Sequence, residues 1–86
     1  MIGPDWPDEF EKLLRNYLPL LGDDLPLAPA TALVDHGLDS LSTVGLLVDV
    51  EESFGVQFPD DALTPDTFAT PASLWSVVVR QREAAE

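Results

Sequence analysis

Prolines and glycines divide this chain into segments, and three of the segments have the apolar spacing of an α-helix. The first helix is expected over residues 7–18, because apolar side chains recur every three or four positions until Pro19, which cannot continue a helix. The second is expected over residues 40–54 and ends at Gly55, a residue that favours the end of a helix. A Thr-Pro pair begins the third, expected over residues 70–82.

The remaining segments complete an all-α chain. Residues 60–64 are expected to form one short helix, and residues 19–39 form a long loop whose apolar residues fold back over the core. Val56 to Phe58 alternate as a strand would, but Pro59 argues for a loop. At 86 residues the chain is too short for two independent cores. We therefore expect a single domain, 1–86, with the fold of a small four-helix bundle: three main helices, one short helix and a long loop after the first.

The charge of the chain restricts its partners and its location. Sixteen acids oppose four bases, and residues 16–79 contain ten acids with no Lys or Arg. Such a surface repels nucleic acid and attracts basic proteins, although acid also serves simply to keep a small domain soluble. The chain contains no cysteine, no apolar run near the roughly 18 residues of a membrane span and no signal-peptide pattern at its start. We expect a cytoplasmic monomer that binds neither membranes nor nucleic acid.

Two kinds of site are excluded around Ser40, which begins the second expected helix. A catalytic serine needs a general base, but the only histidine, His36, lies four residues earlier and the GxSxG motif is absent. Asp35, His36 and Asp39 could surround a metal ion, yet their spacing matches no EF-hand loop. We therefore expect neither a catalytic residue nor a metal site.

Two roles remain open for Ser40. It is either an ordinary first residue of a helix, with Asp39 as the cap, or a modified residue. A phosphodiester at this position would meet unpaired backbone N–H groups and the positive end of the helix dipole, which favours an anion by about 0.3–1 kcal/mol. Gly37 would leave the backbone open to an approaching enzyme.

The second helix carries more apolar residues than one core face requires. Leu41, Val44, Val48 and Glu51 share one face, and a second apolar row follows beside them, so part of the outer surface is apolar. Gly45 lies within this helix, where glycine costs about 1 kcal/mol relative to alanine. It serves either close packing between helices or a flat surface for a partner. In the second case, Gly45→Glu is expected to stabilise the fold slightly and weaken partner binding.

The segment GLDSLSTVGLLVDVEESFGVQFPDD, residues 37–61, resembles the prosthetic-group site and following helix of acyl carrier and peptidyl carrier proteins. The family pattern is G-x-D-S-L, an apolar helix, E-E-x-F-G and then P-D. The matching residues are Gly37, Asp39, Ser40, Leu41, Glu51, Glu52, Phe54, Gly55, Pro59 and Asp60. The likeness extends over residues 8–80, and the combination of the two motifs is specific where DSL alone is not.

The resemblance implies a bundle of the acyl-carrier type and a non-catalytic role. Ser40 would carry a 4′-phosphopantetheine arm, transferred from coenzyme A by a phosphopantetheinyl transferase with Mg²⁺, within the motif formed by Gly37, Asp39 and Leu41. The thiol of the arm would hold an acyl or aminoacyl group as a thioester. The chain would be a substrate of that transferase and of loading and processing enzymes.

The resemblance also implies a partner surface on the second helix. Its apolar centre would include Leu41, Val44 and Val48, with Gly45 beside them. Acidic side chains would meet basic patches on the partners: Asp49, Glu51 and Glu52. The partners implied are a loading enzyme, either an adenylating ligase or an acyltransferase, and downstream synthase or tailoring enzymes.

Departures from the family pattern favour one subclass. Fatty-acid carriers usually have acids near the positions of Ser42 and Gly45, and this chain has neither. Peptidyl carriers within large synthetases usually have GGDS where this chain has GLDS. The segment LTPDTFATPASL, residues 63–74, resembles stand-alone carriers of specialised metabolism. We expect a discrete carrier for antibiotic-type natural products of the polyketide or nonribosomal peptide kind. The alternatives are a housekeeping fatty-acid carrier and an unmodified acidic adaptor.

Overall fold

The structure, a computed structural model, describes residues 6–22 and 25–85. The helices are α1 (Asp8–Arg15), α2 (Ser40–Phe54) and α3 (Pro71–Ala85). Two short 3₁₀ turns, Leu33–His36 and Asp60–Ala62, lie in the connections, and no strand occurs in the described residues. The all-α prediction with three main helices is therefore confirmed. The expected short fourth helix, residues 60–64, is only a 3₁₀ turn.

Two helices end at residues that differ from the expected ones. Helix α1 ends at Arg15, before the expected residue 18, because the backbone N–H groups of Tyr17 and Leu18 bond three residues back instead of four. Helix α3 continues to Ala85, past the expected end at residue 82, through alanine and glutamate, which favour helices. The predicted single domain also includes residues 1–5, 23, 24 and 86, which lie outside the described residues.

Helix α1 runs antiparallel to α2. Phe10, near the start of α1, packs against Phe54 at the end of α2, with 6.1 Å between ring centroids. Tyr17, just after α1, bonds to Asp49 in the middle of α2. Trp75 of α3 completes this aromatic contact at 4.9 Å from Phe10. The aromatic pairs therefore join the three helices at the end of the bundle that is remote from Ser40. Each aromatic pair adds about 0.5–1.5 kcal/mol of stability beyond the effect of its buried area.

Backbone hydrogen bonds attach the long loop to the start of α3. The Leu33 N–H donates to the Ala69 carbonyl at 3.0 Å, and the Ala72 N–H donates to the Pro29 carbonyl at 3.2 Å. Four apolar side chains of the loop enter the core: Leu21, Leu27, Leu33 and Leu38. The loop therefore packs as part of the fold, and it leads directly into α2.

Candidate functional site

Asp39, not Ser40, caps the start of α2. Its backbone is extended, and its Oδ1 accepts a hydrogen bond from the Ser42 N–H at 2.8 Å. In return, the Asp39 N–H donates to the Ser42 hydroxyl at 2.9 Å, which completes a reciprocal capping box. The Ser42 N–H, and then the Ser42 hydroxyl, hold the pKa of the Asp39 carboxyl below its ordinary value of 3.8. Sequence reasoning missed Ser42, although a capping pair at i and i+3 was visible in D-S-L-S.

Because Asp39 provides the cap, the Ser40 side chain is left facing solvent. Ser40 is the first residue of α2, and it is exposed. A covalent arm on its hydroxyl displaces no packed side chain, so this position fits a bulky modification. One expectation needs correction: a phosphodiester here would not find every first-turn N–H unpaired, because Asp39 already accepts from the Ser42 N–H.

Gly37 is required by packing. Its φ is +108°, and a Cβ at this position would lie 2.8 Å from both Cδ and Cγ of Pro19, so only glycine fits. The neighbouring His36 carbonyl accepts from the Leu20 N–H at 3.0 Å. Gly37 thus lets the chain after α1 lie against the turn before α2. Gly37 is half-buried beside Pro19, and its expected role in leaving the backbone open to an enzyme stays a prediction.

A groove of about 670 Å³ lies beside Ser40. Three segments form its walls: the turn before α2, one face of α2 and residues 63–68. The apolar lining residues are Val34, Leu38, Val44, Leu47, Leu63, Pro65 and Phe68. Sequence reasoning missed the contribution of residues 63–68, which are close to Ser40 only in the folded chain.

The apolar residues expected on the outside of α2 form one exposed row. Leu41 is 85% exposed, Val44 61% and Val48 44%. Glu52 continues this row and is also exposed, whereas Glu51, expected on the same face, is half-buried. The row begins one residue after Ser40, so any protein that reaches the Ser40 hydroxyl meets it.

Three other residues expected on the partner surface are engaged within the fold. A Cβ on Gly45 would lie 3.1 Å from Cε1 of Tyr17, which favours the packing role that the sequence left open. The Asp49 carboxylate accepts from the Tyr17 hydroxyl. The Glu51 carboxylate accepts from the Phe58 N–H at 2.9 Å. Both carboxylates are half-buried and bonded within the fold, and their expected role in partner binding stays a prediction.

Neither a metal cluster nor a membrane span is found in the described part of the chain. No three His, Cys, Asp or Glu residues within it come together as a metal site. No helix within it is both long enough and apolar enough to cross a bilayer.

Comparison with known proteins identifies the family. The family model described as "Phosphopantetheine attachment site" matches residues 11–76. Aminoacyl carrier protein 1 from Bradyrhizobium diazoefficiens is 31% identical over 74 residues, which are 86% of this chain and 82% of the relative.

A solved structure shares the fold. It is the crystal structure of an engineered Bradyrhizobium japonicum glycine:[carrier protein] ligase complexed with a carrier protein from Agrobacterium tumefaciens and ATP. One of its chains matches with a TM-score of 0.70 and 26% identity, over 85% of this chain and 95% of that chain. The chain therefore belongs to the phosphopantetheine attachment family of acyl and peptidyl carrier proteins, whose cofactor is a covalently attached 4′-phosphopantetheine.

Proposed function

We propose that this carrier protein holds aminoacyl or acyl groups as thioesters on a 4′-phosphopantetheine arm attached to Ser40. The observation that carries the proposal is the position of Ser40. It is exposed and begins α2, and its hydroxyl is not used as the helix cap because Asp39 caps the helix. The family is non-catalytic, so the chemistry of attachment and loading belongs to partner enzymes.

In the bond-forming step, this chain would supply the Ser40 hydroxyl. The Ser40 oxygen would form a bond to the phosphorus of coenzyme A that bears the pantetheine group. The phosphoanhydride bond to that phosphorus breaks, 3′,5′-adenosine bisphosphate leaves, and the serine proton passes to the transferase or to solvent. A tethered thioester then meets each partner at a high effective concentration.

The relatives favour an aminoacyl cargo. One is named an aminoacyl carrier protein, and the matched fold comes from a complex with a glycine:[carrier protein] ligase. We therefore propose an adenylating ligase as the loading enzyme. Enzymes of natural-product assembly are proposed as later partners because residues 63–74 resemble stand-alone carriers of specialised metabolism. An acyl cargo loaded by an acyltransferase is the second candidate, favoured by the apolar groove beside Ser40.

The attachment is tested by intact mass. The protein is incubated with coenzyme A, Mg²⁺ and a broad-specificity phosphopantetheinyl transferase. We expect a gain of one phosphopantetheine that is abolished in Ser40→Ala and retained in Ser53→Ala, because Ser53 is an exposed serine at the other end of the same helix. No gain in the unmutated protein would support the unmodified adaptor instead.

The cargo is tested on the holo protein. The holo protein is offered separately to a glycine:[carrier protein] ligase with ATP and amino acids, and to a malonyl-CoA acyltransferase. A thioester formed only by the ligase supports the aminoacyl carrier. A thioester formed only by the acyltransferase supports the acyl carrier, including the housekeeping alternative.

A further inference from the structure

We propose that Ser42 is a positioning residue for the modification of Ser40. Its hydroxyl holds Asp39 in one conformation and thereby fixes the peptide group that contains the Ser40 nitrogen. The inference rests on the proposed attachment at Ser40. It gives the capping box at the start of α2 a role in the transfer reaction, in addition to its role in the stability of the helix.

The Ser42 hydroxyl bonds to both the backbone and the side chain of Asp39. It accepts from the Asp39 N–H at 2.9 Å and donates to Asp39 Oδ1 at 2.7 Å. The Ser42 N–H donates to the same Oδ1 at 2.8 Å. Loss of the hydroxyl alone would therefore remove two of these three bonds, and the Asp39 N–H would lose its side-chain partner.

Thr43 fixes the other side of Asp39. The Asp39 carbonyl accepts from the Thr43 N–H at 2.8 Å and from the Thr43 hydroxyl at 2.6 Å. The Asp39 N–H belongs to the peptide group after Leu38, and its carbonyl belongs to the peptide group before Ser40. Both peptide groups that flank Asp39 are thus held, and none of these bonds uses the Ser40 hydroxyl.

Several bonds are needed because this segment is exposed. Leu38 is buried and anchors the chain on one side, whereas Asp39 and Ser40 are both exposed. Water competes with each hydrogen bond at such a position, so one bond alone contributes little. The backbone of Asp39 therefore depends on bonds that act together, and the Ser42 hydroxyl supplies two of them.

The transfer reaction requires this precision. The Ser40 oxygen must approach the phosphorus in line with the leaving anhydride oxygen, and a misplacement of about 1 Å can cost about a hundredfold in rate. A hydroxyl that takes no part in the capping bonds reaches this position without breaking them. Loss of the Ser42 hydroxyl should therefore slow the transfer step, while the exposed apolar row of α2 stays unchanged and binding is retained.

The test compares matched substitutions. Ser42→Thr keeps a hydroxyl, and Ser42→Val has the shape of the threonine without one. Ser73→Ala is the control, because Ser73 and Thr70 form the same kind of reciprocal box at the start of α3. The Thr70 N–H donates to the Ser73 hydroxyl at 3.2 Å, and the Ser73 N–H donates to the Thr70 hydroxyl at 3.1 Å.

Single-turnover modification, with the transferase and coenzyme A in excess, gives the maximal rate and the transferase concentration at half-maximal rate. We expect Ser42→Val to lower the maximal rate about tenfold, and Ser42→Thr and Ser73→Ala to lower it less than about twofold. The half-maximal concentration should be unchanged throughout. Circular dichroism checks folding, and Ser42→Ala replaces Ser42→Val if that variant does not fold.

An NMR titration gives a second readout that does not depend on the transferase. The Ser42 N–H and then the Ser42 hydroxyl lower the pKa of the Asp39 carboxyl. The pKa should therefore move toward 3.8 in Ser42→Val and keep its lowered value in Ser42→Thr.

The outcomes separate this inference from the proposed function. Equal maximal rates for Ser42→Thr and Ser42→Val would overturn the positioning role and leave attachment at Ser40 intact. An equal loss of rate in Ser73→Ala would also overturn it, because general stability would then explain the effect. A change confined to the half-maximal concentration would show a contact with the transferase instead of positioning. No modification of the unmutated protein would overturn the proposed function itself.

Discussion

The Tyr17 hydroxyl donates a hydrogen bond to the Asp49 carboxylate and so connects the residues after α1 with the middle of α2. This hydrogen bond, then burial, then the charge of Asp49 raise the pKa of Tyr17 above its ordinary 10.0. The same tyrosine ring covers Gly45. The Tyr17 side chain thus positions the helix that presents Ser40. It also forms a hydrogen bond with Asp49, an acid that the sequence had suggested for partner binding.

Removing this hydrogen bond should reduce stability without affecting modification. We expect Tyr17→Phe and Asp49→Asn each to lower the unfolding midpoint in urea, and the double variant to lose less than the sum, because the two residues share one interaction. The pKa of Tyr17 is raised in the folded state. The contribution of its hydroxyl to the unfolding free energy is therefore complete below pH 10.0, and it is lost as the pH rises through the folded pKa. The deficit of Tyr17→Phe should therefore shrink in strongly alkaline buffer. A raised transferase KM for Asp49→Asn at unchanged stability would instead support a docking acid.

The effect of substituting Gly45 on stability should depend on the Tyr17 ring. Alanine gains about 1 kcal/mol of helix propensity, but its Cβ lies 3.1 Å from the ring. We expect Gly45→Ala to stabilise a Tyr17→Ala background more than the unmutated protein, as measured by urea unfolding. Gly45→Glu should destabilise the protein, contrary to the expectation from sequence, because it displaces the ring and adds a carboxylate four residues from Asp49. Equal effects of Gly45→Ala in both backgrounds would contradict this account.

Two glycines with positive φ should differ in their tolerance of alanine. Gly37→Ala combines an unfavourable φ with a Cβ only 2.8 Å from Pro19, whereas Gly55→Ala, at φ +63°, meets no atom within 4 Å. We expect a loss of about 3 kcal/mol for the first and about 1 kcal/mol for the second. Denaturant unfolding measures both, and similar losses would show that the Pro19 contact relaxes easily.

Adjacent glutamates on α2 should behave differently. Glu51→Ala leaves the Phe58 N–H without its acceptor, which should cost about 1–3 kcal/mol. Glu52 is exposed, so Glu52→Ala should change stability by less than about 0.5 kcal/mol. If Glu51→Ala left the unfolding free energy intact and raised the transferase KM, the docking role suggested by the sequence would be supported.

The boundaries of α2 could be predicted from sequence because both of its ends have local signals. Asp39 caps one end and Gly55, at φ +63°, terminates the other. Each signal lies within a few residues of the boundary that it determines. The end of α1 was less predictable, because the chain after it is positioned by the distant Gly37 and His36.

The partner surface could be predicted only in part. Helical spacing shows that Leu41, Val44 and Val48 share a face, and the structure exposes all three. The same spacing cannot show what covers a neighbouring face, and Tyr17 lies 32 residues before Asp49 in the sequence. The position of Leu63 beside the Ser40 groove also depends on chain folding that no local pattern encodes.

The bonds between the long loop and α3 have a consequence for how the chain matures. The Leu33 N–H and the Pro29 carbonyl find their backbone partners at Ala69 and Ala72. The segment ahead of Ser40 therefore gains these two bonds only when the start of α3 packs against it, and closing such a long loop is slow. During synthesis, a ribosome-bound chain that stops short of residue 69 would lack the template that shapes this segment. Truncation before residue 69 should therefore loosen the segment that precedes Ser40.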